Sequence, residues 1–177
     1  QVHKKLKQLA LTALLALPLA AGATPLTYEG TIAVGSTVSG SVTQTGWALD
    51  NAADTDFWRI FVNAGQQLTI TGWPVSALDL GFSLYAGDTG TEEAFDHQID
   101  FDGLEWLDLV DLNGDGVAES ATYLFAATGW YTIAVGGALI DGDGSAYFYD
   151  LNVVPEPLSL SLLGLGLGGL GWSRRRS

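Results

Sequence analysis

The chain has 177 residues, no cysteine, two histidines and a formal net charge of −13. Without cysteine it has no disulfides, thiolate metal sites or cysteine nucleophiles, and with so little histidine it has no His-rich zinc site. A strongly negative surface repels phosphate backbones, so nucleic acid is not an expected partner.

The first 23 residues read as a leader. Lys4, Lys5 and Lys7 precede an apolar run from Leu9 to Ala20, and Ala21-Gly22-Ala23 follows. A basic start, an apolar middle of about a dozen residues and a small-x-small site are the layout of a secretory signal peptide, cleaved after Ala23. The sequence contains no Met, so the initiator residue is expected upstream of Gln1. Apart from Arg59, every Lys and Arg lies in this leader or in the last few residues. Residues 24–153 therefore hold one arginine against nineteen acids, a formal −18. Such self-repulsion opposes compaction unless cations are recruited.

This middle segment is long enough for one domain with its own core. Short runs rich in β-branched and aromatic residues recur at 27–34, 36–43, 57–62, 67–72, 79–85, 94–100, 120–126, 129–135 and 145–153. Turn signals separate them, among them "NAGQ" at 63–66, "AGDTG" at 86–90 and "ATGW" at 127–130. Strands spaced by roughly ten residues predict an all-β sandwich or barrel, and no stretch sustains a helical apolar period.

The first half of this pattern, "DTDFWRIFVNAGQQLTITGWP", carries Asp54, Asp56, Phe57, Ala64, Gly65 and Gln66. Asp79, Leu80, Leu84 and Tyr85 follow, then Gly129, Trp130 and Tyr131. In this order they resemble the bacterial pre-peptidase C-terminal domain over residues 36–153. The 91–119 region departs from it, being longer and more acidic. The resemblance implies an antiparallel, jelly-roll-like β-sandwich that is non-catalytic, often calcium-associated, and an accessory of exported proteins.

Within that departure lies the sharpest motif of the domain, "DLNGDGVAE" at 111–119. Asp111, Asn113 and Asp115 stand at positions 1, 3 and 5, Gly116 at 6, the Val117 carbonyl at 7 and Glu119 at 9. Alternating oxygens that converge through a sharp glycine turn are what a calcium loop requires. Position 12 is Thr122 rather than a bidentate glutamate, and no helix is expected on either side, so this is not an EF-hand. An acidic solvated turn is the competing reading. Further acids that offer a second metal site are Asp50, Asp54 and Asp56, then Asp96, Asp100 and Asp102, the last two expected on one strand face; Asp141 and Asp143 read better as a tight turn.

Enzyme chemistry finds little support. His97 is the only histidine outside the leader, no Gly-x-Ser-x-Gly elbow exists, and residues 24–153 hold no lysine. Abundant acids leave a small glycoside-active enzyme as a distant alternative. A nearer alternative is a calcium-dependent carbohydrate module for exopolysaccharide. Trp47, Trp73, Trp106 and Trp130 fall near expected strand ends, where an exposed indole stacks on a sugar ring.

Residues 154–177 form the third segment. Val154-Pro155-Glu156-Pro157 leads into an uncharged run from Leu158 to Trp172, closed by Arg174, Arg175 and Arg176. As a short hydrophobic helix the run spans about 22 Å, against about 30 Å of bilayer core. Its many glycines make it a weak permanent anchor and a poor core helix. Two prolines bar helix and central strand in the preceding peptide, which is expected to stay extended and exposed. Pro155, Glu156 and Pro157, then the Gly/Leu run, then the three arginines resemble the PEP-CTERM sorting signal of Gram-negative bacteria. That resemblance implies export by the secretion machinery and recognition by an exosortase. It also implies transient anchoring through residues 158–172 and delivery to the cell surface or extracellular matrix.

Overall fold

Alternation of inward apolar and outward polar residues gives a strand one buried face, while runs such as 80–85 and 131–137 are buried on both. In β4 (Gln67–Pro74), Leu68, Ile70 and Gly72 are buried while Thr69, Thr71 and Trp73 face outward. The structure, a computed structural model, describes residues 23–42, 49, 52, 55–75, 79–97, 99–138 and 147–156. Residues 1–22 of the expected signal peptide, Trp47, Asp50, Asp54, Asp141, Asp143, Pro157, the 158–172 run and the three arginines lie outside the described residues.

Eleven strands are described. Besides β4 they are β1 (Tyr28–Ile32), β2 (Ser36–Val42), β3 (Asp56–Val62), β5 (Asp79–Ala86), β6 (Phe95–His97), β7 (Asp100–Phe101), β8 (Glu105–Val110), β9 (Glu119–Leu124), β10 (Gly129–Ala138) and β11 (Tyr147–Pro155). A five-stranded sheet runs β1-β3-β10-β5-β8 and a four-stranded sheet runs β2-β11-β4-β9. Among the described strands β1 and β3 pair parallel and every other pair is antiparallel. Most successive strands cross from one sheet to the other, as in a jelly roll; β5 instead reaches β8 in its own sheet through the β6–β7 hairpin.

Between the sheets lies the main core, with Ile60, Leu68, Ile70, Leu80, Phe82, Leu84, Ile133, Val135, Leu151 and Val153 sealed from solvent. Each such side chain contributes about 1.5–3 kcal/mol on burial. A second cluster of Leu26, Leu49, Phe57, Tyr85, Phe95, Phe101 and Ala134 covers the other face of the five-stranded sheet. The β6–β7 hairpin supplies its lid.

Three expectations are corrected. The 94–100 run is the β6–β7 hairpin rather than one strand, and β7 ends at Phe101, so Asp102 sits in the following turn. β8 was not foreseen. Pro155 is not free peptide but the last residue of β11, paired with Leu68. The next rung is hydrogen-bonded, since the Glu156 N–H donates to the Gln67 carbonyl at 2.9 Å. Alternation along an antiparallel ladder therefore points the missing N–H of Pro155 away from β4. Among the described residues helical structure is confined to 3-10 turns, at Glu92–Ala94 and at Leu49 and Ala52, and no helix is long and apolar enough to cross a membrane.

Candidate metal centre

The 111–118 segment carries the chain from β8, in one sheet, to β9, in the other. The sheets meet closely there. A Cβ on Gly72, which pairs with Glu119, would lie 2.7 Å from the end of the Leu80 side chain of β5, so a larger residue there would have to displace that side chain. β5 therefore begins beneath the loop and brings Asp79 to it.

Glu119, fully buried, is the fixed point of the loop. Its carboxylate accepts the N–H groups of Leu112 at 3.0 Å and Asn113 at 2.5 Å. Asn113 Nδ2 donates to the Ala118 carbonyl at 2.9 Å, and the Val117 N–H donates to the Gly114 carbonyl at 3.2 Å. Gly116 takes φ +72°, a left-handed conformation that a side chain would strain. The loop is thus wrapped round a buried carboxylate, with Asp111 and Asp115 exposed on it.

Asp79 is offered by the sequence as a strand residue and as part of the family pattern, not as a metal ligand. It is half-buried, and its Oδ1 is shielded from solvent with no hydrogen-bond partner. Burial, and then the charges of Asp111, Asp115 and Glu119, push its carboxyl above the usual carboxylate range. Asp111 is pushed up too, by burial and by Glu119. The charges of Asp111, Asp115 and Glu119 bear on the shielded Asp79 oxygen, and carboxylate oxygens of this kind suit a hard dication, although no three of these four groups bring ligand atoms within 4.8 Å of one another. Asp79, Asp111, Asp115 and Glu119 would hold it. The Asn113 amide nitrogen is spent on the loop backbone.

A second group sits on the β6–β7 hairpin, where ligand atoms of Asp96, His97 and Asp100 lie within 4.8 Å of one another. Both aspartates are exposed, and His97 Nδ1 accepts the Ile99 N–H at 3.4 Å. Three of the four singled-out indoles are described. Trp73 is 55% exposed on the four-stranded sheet; Trp106 at 43% and Trp130 at 36% stand on the other. They do not form one platform. Trp130 packs edge-on against Phe61, and the Arg59 guanidinium lies over it at 5.1 Å.

No relative is found among curated protein sequences. Among solved structures, CorA of Methylomicrobium album BG8 shares the fold. CorA is a surface-associated copper-binding protein important in copper acquisition; the match has TM-score 0.52 and 13% identity and covers 73% of this chain and 98% of CorA. The pre-peptidase C-terminal domain of a Bacillus anthracis collagenase aligns with TM-score 0.46 and 19% identity over 72% of this chain and 96% of that domain. The Aeromonas hydrophila periplasmic lysozyme inhibitor PliG aligns with TM-score 0.41 and 20% identity over 72% and 96%. Residues 153–176 match the PEP-CTERM protein-sorting motif. The chain therefore carries a PEP-CTERM sorting motif that begins inside the last strand of a β-sandwich.

Proposed function

We propose that this protein is exported, sorted by an exosortase through its PEP-CTERM motif, and held at the cell surface or in the extracellular matrix of a Gram-negative bacterium. In this reading residues 1–23 are the signal peptide, 24–153 the working domain and 154–177 the sorting signal. Membrane contact is transient, through residues 158–172. The observation that carries the reading is the motif match at 153–176 directly behind an all-β domain. Cell fractionation tests it: a chain truncated after Glu156 should lose surface attachment and appear in soluble fractions. Unchanged attachment would contradict the proposal.

At the surface the domain acts as a non-enzymatic module stabilised by calcium at Asp79, Asp111, Asp115 and Glu119. Calcium takes six to eight hard oxygens, and extracellular sites bind it at about 10⁻⁴ to 10⁻³ M. Support comes from the orphaned Asp79 oxygen and from the burial and neighbouring negative charge that lift Asp79 and Asp111. Because the fold is shared with a copper-binding surface protein, copper(II) is the comparison cation. Calcium should raise the melting temperature by an increment that copper at equal concentration does not reproduce.

A glycoside-active enzyme needs two carboxylates free on either side of a sugar. Glu29, Asp56 and Glu92 line a groove of about 200 Å³, yet Asp56 is tied to the Tyr149 hydroxyl and the Ser41 N–H, which favours the non-enzymatic reading. The second reading is a calcium-dependent carbohydrate module, favoured by the exposed Trp73, Trp106 and Trp130. Retention on extracellular polysaccharide, lost on chelation and on replacing these indoles, is its expected signature.

A further inference from the structure

β11 outlasts one of its two neighbours. Its pairing with β2 ends at Val153, opposite Ser36. With β4 it continues through Val154, opposite Thr69, and Pro155, opposite Leu68. The next residue is the glutamate of the sorting motif, and it too is held. Its N–H donates to the Gln67 carbonyl at 2.9 Å. Its carboxylate accepts the Thr69 hydroxyl. That hydroxyl has one hydrogen, so in its 2.7 Å bond with Thr122 of β9 it accepts. A hydroxyl relay thus runs Thr122 to Thr69 to Glu156 and ends on a charge, the stronger kind of hydrogen bond.

We propose that Gln67 and Thr69 of β4, backed by Thr122, form a docking site for the protein's own sorting-motif glutamate, and that this contact gates processing. The gate rests on the reading of 153–176 as a processed signal. An enzyme that grips an extended peptide uses its backbone edges and side chains. Here one backbone edge of residues 154–156 is occupied by β4, and the glutamate carboxylate is occupied by Thr69. Processing therefore draws on the fraction of molecules in which the strand end has peeled from β4. Because these residues lack a β2 partner, they peel without opening the rest of the strand.

The test alters β4 and leaves the motif intact. Thr69→Val keeps the shape and β-branching of the side chain and removes the hydroxyl. Thr37→Val is the matched control, since Thr37 binds Asn152 of β11 without touching residues 154–156. Amide exchange of Glu156 is read by NMR on the full chain in detergent, and precursor conversion by pulse labelling in the producing cell. Thr69→Val should speed Glu156 exchange about tenfold, the worth of one hydrogen bond to a charged group, and speed conversion with it. Thr37→Val should do neither. Unchanged Glu156 exchange in Thr69→Val overturns the docking site. Faster exchange with unchanged conversion overturns the gate alone. A wild-type chain that is never converted overturns the gate together with the processed-signal reading, while exchange still decides the docking.

Discussion

Tyr149 joins residues that the sequence keeps far apart. Its hydroxyl accepts Trp58 Nε1–H at 2.8 Å and donates to Asp56 Oδ2 at 2.7 Å, and the Ser41 N–H reaches the same oxygen at 3.2 Å. A Cβ on Gly40 would lie 2.3 Å from that hydroxyl. Tyr149→Phe leaves an indole N–H and a carboxylate short of a partner and should destabilise by about 1–3 kcal/mol, read by urea unfolding at neutral pH. Gly40→Ala should cost about 1–3 kcal/mol by overpacking. Asp56 was visible in the sequence as one element of a family pattern, but its partner lies 93 residues on. The proposed metal site divides the same way. Asp111, Asp115 and Glu119 were legible because their spacing is local. Asp79 was not, because only the alignment of β5 beneath the β8–β9 loop brings it there. Asp79→Asn tests the cluster: without metal it should be neutral or stabilising, since it relieves repulsion, and with millimolar calcium it should lose the calcium-specific rise in melting temperature. An undiminished rise would remove Asp79 from the site.

Elements were legible where β-branched and aromatic residues run between turn signals, as in β3, β4, β5 and β10; alternation is clean in β4, whereas β5 is buried along its length. β8 was missed because Glu105 and Asp108 interrupt its apolar residues and Glu105, Trp106 and Leu107 are exposed; it is an edge strand, and its acids read as part of an acidic connection. Acids on an edge also deter pairing with a second chain. The β6–β7 hairpin was read as one strand since its turn lacks a strong Gly or Pro signal. Aromatic packing fixes it: Phe95 meets Phe57 at 5.0 Å, and Phe101 meets Tyr85 at 5.4 Å, all edge-on. Phe101→Ala should therefore cost about 3–5 kcal/mol and raise amide exchange across 95–101 before the rest of the sandwich. Equal exchange throughout would mean the hairpin is no separate unit.

For the whole molecule, charge sets the conditions of stability. Asp56, Asp79 and Asp111 all have folded pKa values raised by burial. The folded state then binds more protons than the unfolded one as pH falls through those values, so stability rises on mild acidification. In chelator, the melting temperature should climb as the pH is lowered from neutrality toward about 5. In calcium the climb should shrink or reverse, because protonation competes with the metal. Binding at a hundredfold excess over Kd adds about 2.7 kcal/mol, which is several degrees, and sodium at matched ionic strength separates coordination from screening. The sorting motif was legible from order alone: prolines, apolar run, arginines. Its docking on β4 was not, because Pro155 argued against a strand and only a one-sided ladder accommodates it. The central claim, a module delivered and released through that motif, is tested most directly by the intact mass of protein recovered from the cell surface. The account expects a chain that ends near residues 154–157; surface protein that retains Arg174, Arg175 and Arg176 would contradict it.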